Sequence, residues 1–342
     1  RSTVHYADNK TNSILKALHN KLRPAGTPVQ RVEYIIELLL LRIFEVKVKR
    51  DSEFKPLRGL FGKDDDSLVF SDLLALTGDQ ASAALNKKVF PFYGSILGKA
   101  RGVYKNKNLP QKVQDQLVLI EEVFSNSSFS NNVKNGNLNE VLGLISDIDE
   151  DRLLKTDLLG DAIESALSEQ GGTKDVGLYR TPDHIRQMMV VMADPSFTDT
   201  ILDPACGTGG FLFDAFQYVM EKVGKDNKWP GDKSHKEIKQ YLEKYLKHIE
   251  TEMPSNNVAN TFYRIGISGV EYLGMIRKMA AINLYIRGLN PANIEQGDSL
   301  ELYNPSAEAN GKSVVIANPP FGAKLDQPAY PNVWEEYPKT DS

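Results

Sequence analysis

This chain has very few of the residues that form disulfides or metal sites, because its 342 residues include one cysteine, Cys206, and five histidines. A single cysteine excludes a disulfide within the chain and suits a reducing compartment, which we expect to be the cytoplasm. One cysteine and scattered histidines also give no cluster with metal-ligand spacing. The sequence therefore predicts a site without a metal ion.

Long apolar runs and a strong charge of one sign are also missing. The most apolar stretch, residues 35–44, is interrupted by Glu37 and Arg42, and it is far shorter than the roughly 20 residues that cross a bilayer. We expect a buried helix there and no membrane association. The net charge of -4 argues against a protein that holds nucleic acid through its overall charge. A DNA-binding surface must then be local or come from a partner.

The chain divides into two parts that differ in hydrophobic pattern. Up to residue 169 the apolar residues recur at helical spacing, for example at Val113, Leu117 and Ile120. Residues 170–177 have the composition of a linker, and beyond them strands alternate with helices, which predicts a parallel sheet with helices on both faces. The sequence thus predicts an all-helical domain over residues 1–169 and an α/β domain over residues 170–342. Strands are expected at 200–202, 262–270, 294–296 and 313–317, and helices at 183–192, 211–223, 238–249 and 272–288.

A glycine-rich turn follows the first of these strands, in Asp203-Pro-Ala-Cys-Gly-Thr-Gly-Gly210. Glycines allow positive φ angles and the close approach of a ligand to the backbone. The helix that follows directs its unpaired N–H groups and its positive dipole end into the turn. The glycine spacing differs from the dinucleotide fingerprint, so the turn indicates a nucleotide-type cofactor of another kind. Cys206, within the turn, is interpreted as a small packing residue.

Acidic residues follow the next two predicted strands. Glu271 lies where nucleotide-binding sheets of this type hold a ribose diol, and Asp298 is able to accept a hydrogen bond from an adenine amino group. Either residue alone could be a solvated loop acid. Their succession at strand ends after a glycine turn favours the cofactor role.

The segment Gly177-Leu-Tyr-Arg-Thr-Pro182 precedes a predicted helix. Thr181 is expected to cap that helix, with Pro182 at its first position. Thr181 and the neighbouring backbone could also meet the amino-acid end of a cofactor.

The last predicted strand ends in Asn318-Pro-Pro-Phe321. The two prolines fix φ and remove two N–H donors, so the tip is rigid. The Asn318 side-chain oxygen and a proline carbonyl are then able to accept both protons of a planar exocyclic amine. Phe321 offers a face for stacking a base, worth roughly 1–3 kcal/mol, and such a base must be extruded from a duplex. A plain turn is the alternative interpretation.

At these residues the sequence resembles the adenine-specific DNA methyltransferases, and within them the modification (M) subunit of type I restriction-modification systems. The resemblance runs from Asp157 to Phe321 and includes the segments 157–161 and 277–284 as well as the motifs above. It implies a Rossmann-like S-adenosylmethionine-dependent methyltransferase sheet behind an N-terminal helical domain. In the family that sheet continues with further strands, so we expect this chain, which ends at Ser342, to be truncated after the fourth strand.

The resemblance also implies the site. Its cofactor is S-adenosylmethionine, with Glu271 on the ribose and with Asp298 and Ser299 on the adenine. The target adenine would be held by Asn318, Pro319, Pro320 and Phe321. The methionine end and the lining of its pocket would involve Leu178, Tyr179, Arg180, Thr181, Pro182, Asp183, Asp203, Ala205, Gly207, Thr208, Gly209 and Gly210.

The partners implied are double-stranded DNA with a flipped adenine, a specificity (S) subunit that recognises the sequence, and a restriction (R) subunit. Two other functions remain open. A protein-glutamine methyltransferase would use the same Asn-Pro-Pro-aromatic tip, although the Thr-Pro segment and the large helical domain favour DNA. A non-catalytic module that binds the cofactor and partner subunits is the third possibility.

Overall fold

A computed structural model of the chain describes residues 9–61, 68–104, 108–130, 132–133, 135–150, 153, 162, 181–226, 262–302, 312–320 and 330–331. The chain forms two compact units, one of Arg1–Val176 with Tyr285–Pro291 and one of Gly177–Leu284 with Ala292–Ser342. The domain boundary at residue 170 stays a prediction. Some predicted features lie outside the described residues: the segments 157–161, 170–177 and 238–249, and the site residues Leu178, Tyr179, Arg180 and Phe321.

The described part of the first unit is helical throughout, as predicted. Its helices are α1 (Asn9–Lys21), α2 (Pro28–Arg50), α3 (Phe70–Leu73), α4 (Gly78–Ala84), α5 (Phe90–Tyr93), α6 (Ile96–Tyr104), α7 (Gln111–Phe124) and α8 (Asn135–Ser146). Short 3-10 turns lie at Arg23–Ala25 and Ser52–Leu60, and a π turn lies at Leu85–Val89.

Helix α2 shows why this unit folds as it does. It starts with a capping box, in which the Thr27 hydroxyl accepts from the Gln30 N–H and the Gln30 side chain accepts from the Thr27 N–H, and Pro28 occupies its first turn. The predicted apolar residues from Ile35 to Phe44 are buried, which confirms the buried helix. Among the described helices, none has both the length and the apolar composition needed to cross a membrane.

The second unit contains a parallel sheet. Its described elements are α9 (Asp183–Ala193), β1 (Ile201–Asp203), α10 (Gly210–Asp226), β2 (Ile267–Glu271), α11 (Gly274–Ile286), a 3-10 turn (Pro291–Asn293), β3 (Ile294–Gln296) and β4 (Val314–Val315). The last two residues of α11, Tyr285 and Ile286, and the first residue of the turn, Pro291, belong to the first unit. The strand order is β3-β2-β1-β4 and all pairs are parallel. The predicted α/β fold behind a helical N-terminal part is therefore confirmed.

The strand order places a switch point at β1. The chain moves outward from β1 to β2 and β3, and then returns to add β4 on the other side of β1. In open parallel sheets, ligands bind outside the carboxyl ends of the strands at such a point.

The prediction of a strand over residues 262–270 was wrong in its first half. Phe262–Gly266 forms a π turn, and β2 starts only at Ile267. The Phe262 ring stacks on Phe197 with centroids 4.7 Å apart. It also lies so close to Gly266 that a Cβ there would come within 2.3 Å of the ring. The bulky apolar residues that suggested a strand are thus used to anchor a turn.

Candidate active site

The carboxyl ends of the four strands bring the predicted polar residues to one edge of the sheet. Asp203 ends β1 and Glu271 ends β2, while Asp298 follows β3 closely. Beside β1, Leu202 pairs with Val315, and the Ile316 N–H donates to the Leu202 carbonyl across 3.0 Å. Asn318 therefore follows β4 at the same edge at which the glycine turn follows β1.

The glycine turn has the backbone conformation that its sequence predicts. Gly207 and Gly209 have φ angles of 54° and 86°, which side chains other than glycine rarely tolerate. The Gly209 N–H donates to the Cys206 carbonyl across 2.8 Å. A Cβ on Gly207 would meet no atom of the described residues within 4 Å. The described residues thus leave space directly beside the backbone of the turn at Gly207.

Glu271 connects the end of β2 to this turn. Its Oε2 accepts a hydrogen bond from the Gly207 N–H at 3.0 Å, and its Oε1 accepts one from the Leu273 N–H at 2.8 Å. Both oxygens are thereby fixed in position. A carboxylate has about four lone-pair positions, so Glu271 keeps acceptor capacity for the hydroxyls of a diol.

Asp203 lies below the turn, and its side chain is buried. Its Oδ1 accepts from the Ala205 N–H at 3.0 Å, and the residue is 1% exposed. Burial, together with the nearby charge of Glu271, raises the pKa of this carboxyl to about 7. Asp203 therefore holds the shape of the turn from inside.

Cys206 is packed beneath the turn. A Cβ on Gly269 would come within 2.9 Å of its Sγ. Burial raises the pKa of the thiol well above its ordinary value, and the charges of Asp203 and Glu271 act in the same direction. The thiolate is disfavoured, which supports the interpretation of Cys206 as a packing residue.

Asp298 has two partners at the end of β3. Its Oδ1 accepts from the Leu300 N–H at 2.9 Å, and its Oδ2 accepts from the Tyr330 hydroxyl at 2.7 Å. The hydrogen bond to Asp298 is the main cause of a raised Tyr330 pKa. Ser299 follows and is half-buried. The Tyr330 contact returns the chain after the Asn-Pro-Pro tip to the end of β3.

The tip itself is partly open to solvent. Asn318 is half-buried, and Pro319 and Pro320 are exposed. The two prolines of the tip are thus accessible to solvent.

Helix α9 starts at Asp183 as predicted, but the prediction that Thr181 caps it was wrong. The cap is Pro182, whose carbonyl accepts from the N–H groups of Ile185 and Arg186, both at 3.0 Å. Thr181 instead offers its carbonyl to Arg186 Nη1 at 3.1 Å. Among the described residues, no side chain caps the start of α9.

A family model described as N-6 DNA Methylase matches residues 154–340, which is more than half of the chain. The chain belongs to the N-6 DNA methylase family. Membership of a methyltransferase family implies the use of S-adenosylmethionine in general. The space that the described residues leave beside Gly207 and the fixed carboxylate of Glu271 fit such a cofactor.

A methylase subunit is among the proteins that this chain resembles. The EcoEI methylase subunit of a type I restriction enzyme from Escherichia coli is 26% identical over 323 residues, which cover 91% of this chain and 56% of the relative. This chain thus spans little more than half the length of that protein.

Solved structures show the same fold. A modification subunit from Vibrio vulnificus matches with a TM-score of 0.60 at 20% identity, over 94% of this chain and 63% of that one. A chain from a study of complex assembly in a type I restriction-modification system matches with a TM-score of 0.56 at 17% identity, over 94% and 57% of the two chains.

Three polar residues of this N-6 DNA methylase were missed from the sequence. Asn283 of α11 is buried and donates from Nδ2 to the Thr208 carbonyl at 2.7 Å. Arg186 and Asp214 form a buried ion pair with Nε and Oδ2 2.8 Å apart. All three lie within amphipathic helices, where a polar residue on the buried side gives no periodic signal. The spacing of Asp183 and Arg186, which pair across 2.9 Å, was the one available indication.

Proposed function

We propose that this chain contains the unit that transfers a methyl group from S-adenosylmethionine to the exocyclic amino group of adenine in DNA, as the modification subunit of a type I restriction-modification complex. The observation that supports this most strongly is the pairing of β1 with β4. Because these two parallel strands are neighbours, the glycine turn and the Asn-Pro-Pro tip follow adjacent strands at one edge of the sheet.

The cofactor would lie along the ends of β1, β2 and β3. S-adenosylmethionine supplies an activated methyl group. Glu271 would accept hydrogen bonds from its ribose, and Asp298 with Ser299 would face its adenine. The methionine end would lie near Thr181, Pro182 and Asp183, and against the turn formed by Asp203, Ala205, Gly207, Thr208, Gly209 and Gly210, with Leu178, Tyr179 and Arg180 completing the contacts.

The target base would lie at the tip. Asn318 Oδ1 and the Pro319 carbonyl would accept the two protons of the adenine amine, and Pro320 would keep the tip rigid. The lone pair of this nitrogen is delocalised into the ring, so holding both N–H bonds favours the pyramidal geometry that the reaction needs. Phe321 would stack on the extruded base.

The proposed partners are double-stranded DNA, a specificity subunit and a restriction subunit. The EcoEI relative is named a methylase subunit of a type I restriction enzyme. The net charge of -4 fits a subunit that receives its DNA contacts partly from another chain. Sequence recognition would then belong to the specificity subunit.

The test uses the full-length protein mixed with its specificity subunit, duplex DNA and labelled S-adenosylmethionine. Label should appear on adenine. Asn318→Ala should reduce transfer by about 10²-fold or more while cofactor binding stays unchanged, and Asn132→Ala, an exposed asparagine of the helical unit, serves as the matched control. Transfer to a glutamine peptide but not to DNA, or cofactor binding without any transfer, would contradict the proposal.

A further inference from the structure

Arg186 is a buried cation that joins two helices beside the glycine turn. Its side chain is 4% exposed. Its Nε lies 2.8 Å from Asp214 Oδ2 on α10, and its Nη1 lies 2.9 Å from Asp183 Oδ1. The same Nη1 donates to the Thr181 carbonyl at 3.1 Å. One guanidinium thus holds the chain segment before α9 against the helix that follows the turn.

This arrangement would be costly if it served packing alone. A charge that leaves water loses several kcal/mol of hydration, and an apolar pair of similar volume is often at least as stable. Here the planar fork of Arg186 fixes a carboxylate on each helix together with a backbone carbonyl, which a lysine cannot do in the same geometry. The gain is precise placement of Thr181 and Asp183.

The guanidinium also lies against the first residue of α10. A Cβ on Gly210 would come within 3.0 Å of Arg186 Cζ. Glycine at this position therefore lets the cation approach the start of α10, where the free N–H groups of the helix are directed into the turn.

Asp183 and Asp214 differ in their exposure to solvent. The Asp183 side chain is 28% exposed, whereas that of Asp214 is 6% exposed. Asp214 thus serves as the buried counterion of Arg186. Asp183 keeps part of its carboxylate accessible to solvent.

We propose that Arg186 is a positioning residue for the amino-acid end of the cofactor, an inference that rests on the proposed use of S-adenosylmethionine. Through Thr181 and Asp183 it sets acceptors for an α-ammonium group, while the start of α10 supplies donors for the α-carboxylate. Arg186 itself does not touch the ligand. It determines the separation between these two sets of groups.

Two ligands distinguish this role from general support of the fold. S-adenosylhomocysteine has both the adenosine and the amino-acid ends, whereas methylthioadenosine keeps the adenosine and the thioether but lacks the amino acid. Calorimetry with the full chain should show that Arg186→Lys weakens the binding of S-adenosylhomocysteine by about tenfold or more. The same variant should change the affinity for methylthioadenosine by less than about twofold.

A second variant tests the same role without leaving an unpaired buried charge that would destabilise the fold. Arg186→Met combined with Asp214→Leu replaces the buried pair by apolar side chains and removes the contacts to Thr181 and Asp183. It should show the same selective loss, and a larger one than Arg186→Lys, because lysine keeps the charge.

The matched control is Lys222→Met. Lys222 pairs with Asp194 across 2.8 Å and so joins the same two helices at their other ends. This variant should leave the affinity for both ligands unchanged. The inference would be overturned if Arg186→Lys weakened the binding of both ligands equally or weakened the binding of neither. If the unsubstituted protein binds neither ligand, the proposed function fails together with the inference.

Discussion

The Gly207 N–H donates to Glu271 Oε2 across 3.0 Å, so a carboxylate at the end of β2 holds the turn that follows β1. The other oxygen of Glu271 accepts from the Leu273 N–H at the start of α11. Glu271 was predicted only as a ligand of the ribose. Its contacts also fix the turn, so the proposed ribose site and the proposed methionine site share one structural support.

Replacing Glu271 with glutamine tests this shared support. The amide has one acceptor oxygen, so its NH₂ group must face one of the two N–H donors that the carboxylate now accepts. We expect S-adenosylmethionine to bind about tenfold or more weakly, and the free energy of unfolding to fall by about 1–3 kcal/mol. Calorimetry and denaturant titration provide the two measurements. Glu295→Gln, at an exposed position on β3, is the control and should change neither, and a wild-type-like Glu271→Gln would rule out the shared support.

The buried carboxyl of Asp203 should make stability depend on pH. Its pKa is raised to about 7 in the folded protein, whereas an aspartate of the unfolded chain has a pKa of about 3.9. Between these values the folded protein holds a proton that the unfolded chain has released. The contribution of Asp203 to stability is therefore lost as the pH rises through this window, and it changes no further above it.

Asp203→Asn removes this dependence, because its amide oxygen still accepts from the Ala205 N–H but does not titrate. The free energy of unfolding of the variant minus that of the wild type should be about 2 kcal/mol larger at about pH 8 than at about pH 5.5. Denaturant titrations at the two pH values measure the gain. Asp199→Asn is the control: hydrogen bonds from Ser196 lower the pKa of Asp199, so its effect should be equal at both pH values. If Asp203→Asn changes the free energy of unfolding by the same amount at both pH values, the Asp203 carboxyl must already be ionised at the lower pH.

Much of the fold could be predicted from local sequence. The apolar spacing of α2 and its Thr27 capping box determine a helix without reference to the rest of the chain. The glycine turn could be predicted because its positive φ angles at Gly207 and Gly209 require glycine. Asn318 and Gly207 could be placed at one edge because parallel strands in an alternating α/β chain have their carboxyl ends together.

The parts that could not be predicted depend on contacts distant in sequence. The π turn before β2 forms because the Phe262 ring finds Phe197, 65 positions earlier in the chain. The hydrogen bond from Tyr330 to Asp298 joins segments on either side of β4. Neither contact leaves a periodic pattern in the sequence, so only the structure reveals them.

The close approach of Arg186 to Gly210 predicts that alanine is poorly tolerated at residue 210. A Cβ there would lie 3.0 Å from a guanidinium carbon that two carboxylates hold in place. Gly210→Ala should lower the free energy of unfolding by about 1–3 kcal/mol. Gly98→Ala in α6 is the matched control, because a Cβ there meets no atom of the described residues within 4 Å. That variant should raise stability by up to about 1 kcal/mol, and equal effects of the two alanines would show that Arg186 moves aside easily.

The hydroxyl of Tyr285 predicts a substitution that stabilises the protein. Tyr285 is fully buried, and its hydroxyl has no hydrogen-bond partner among the described residues. The ring and the backbone carbonyl of Tyr285 both contact Lys47. Its Nζ lies 4.7 Å from the ring centroid and donates to the Tyr285 carbonyl at 3.0 Å. Tyr285→Phe keeps the ring and the carbonyl and removes only the hydroxyl. We expect the free energy of unfolding to rise by about 1 kcal/mol.

Tyr93→Phe is the matched comparison for Tyr285→Phe, because Tyr93 is equally buried but its hydroxyl donates to the Leu68 carbonyl at 3.4 Å. Removal of that hydroxyl leaves a carbonyl without its donor, so this variant should lose about 0.5–1.5 kcal/mol. Denaturant titration of the two variants beside the wild type should therefore give changes of opposite sign. If Tyr285→Phe lowers stability as Tyr93→Phe does, the Tyr285 hydroxyl must have a partner, such as a buried water molecule, that offsets its burial.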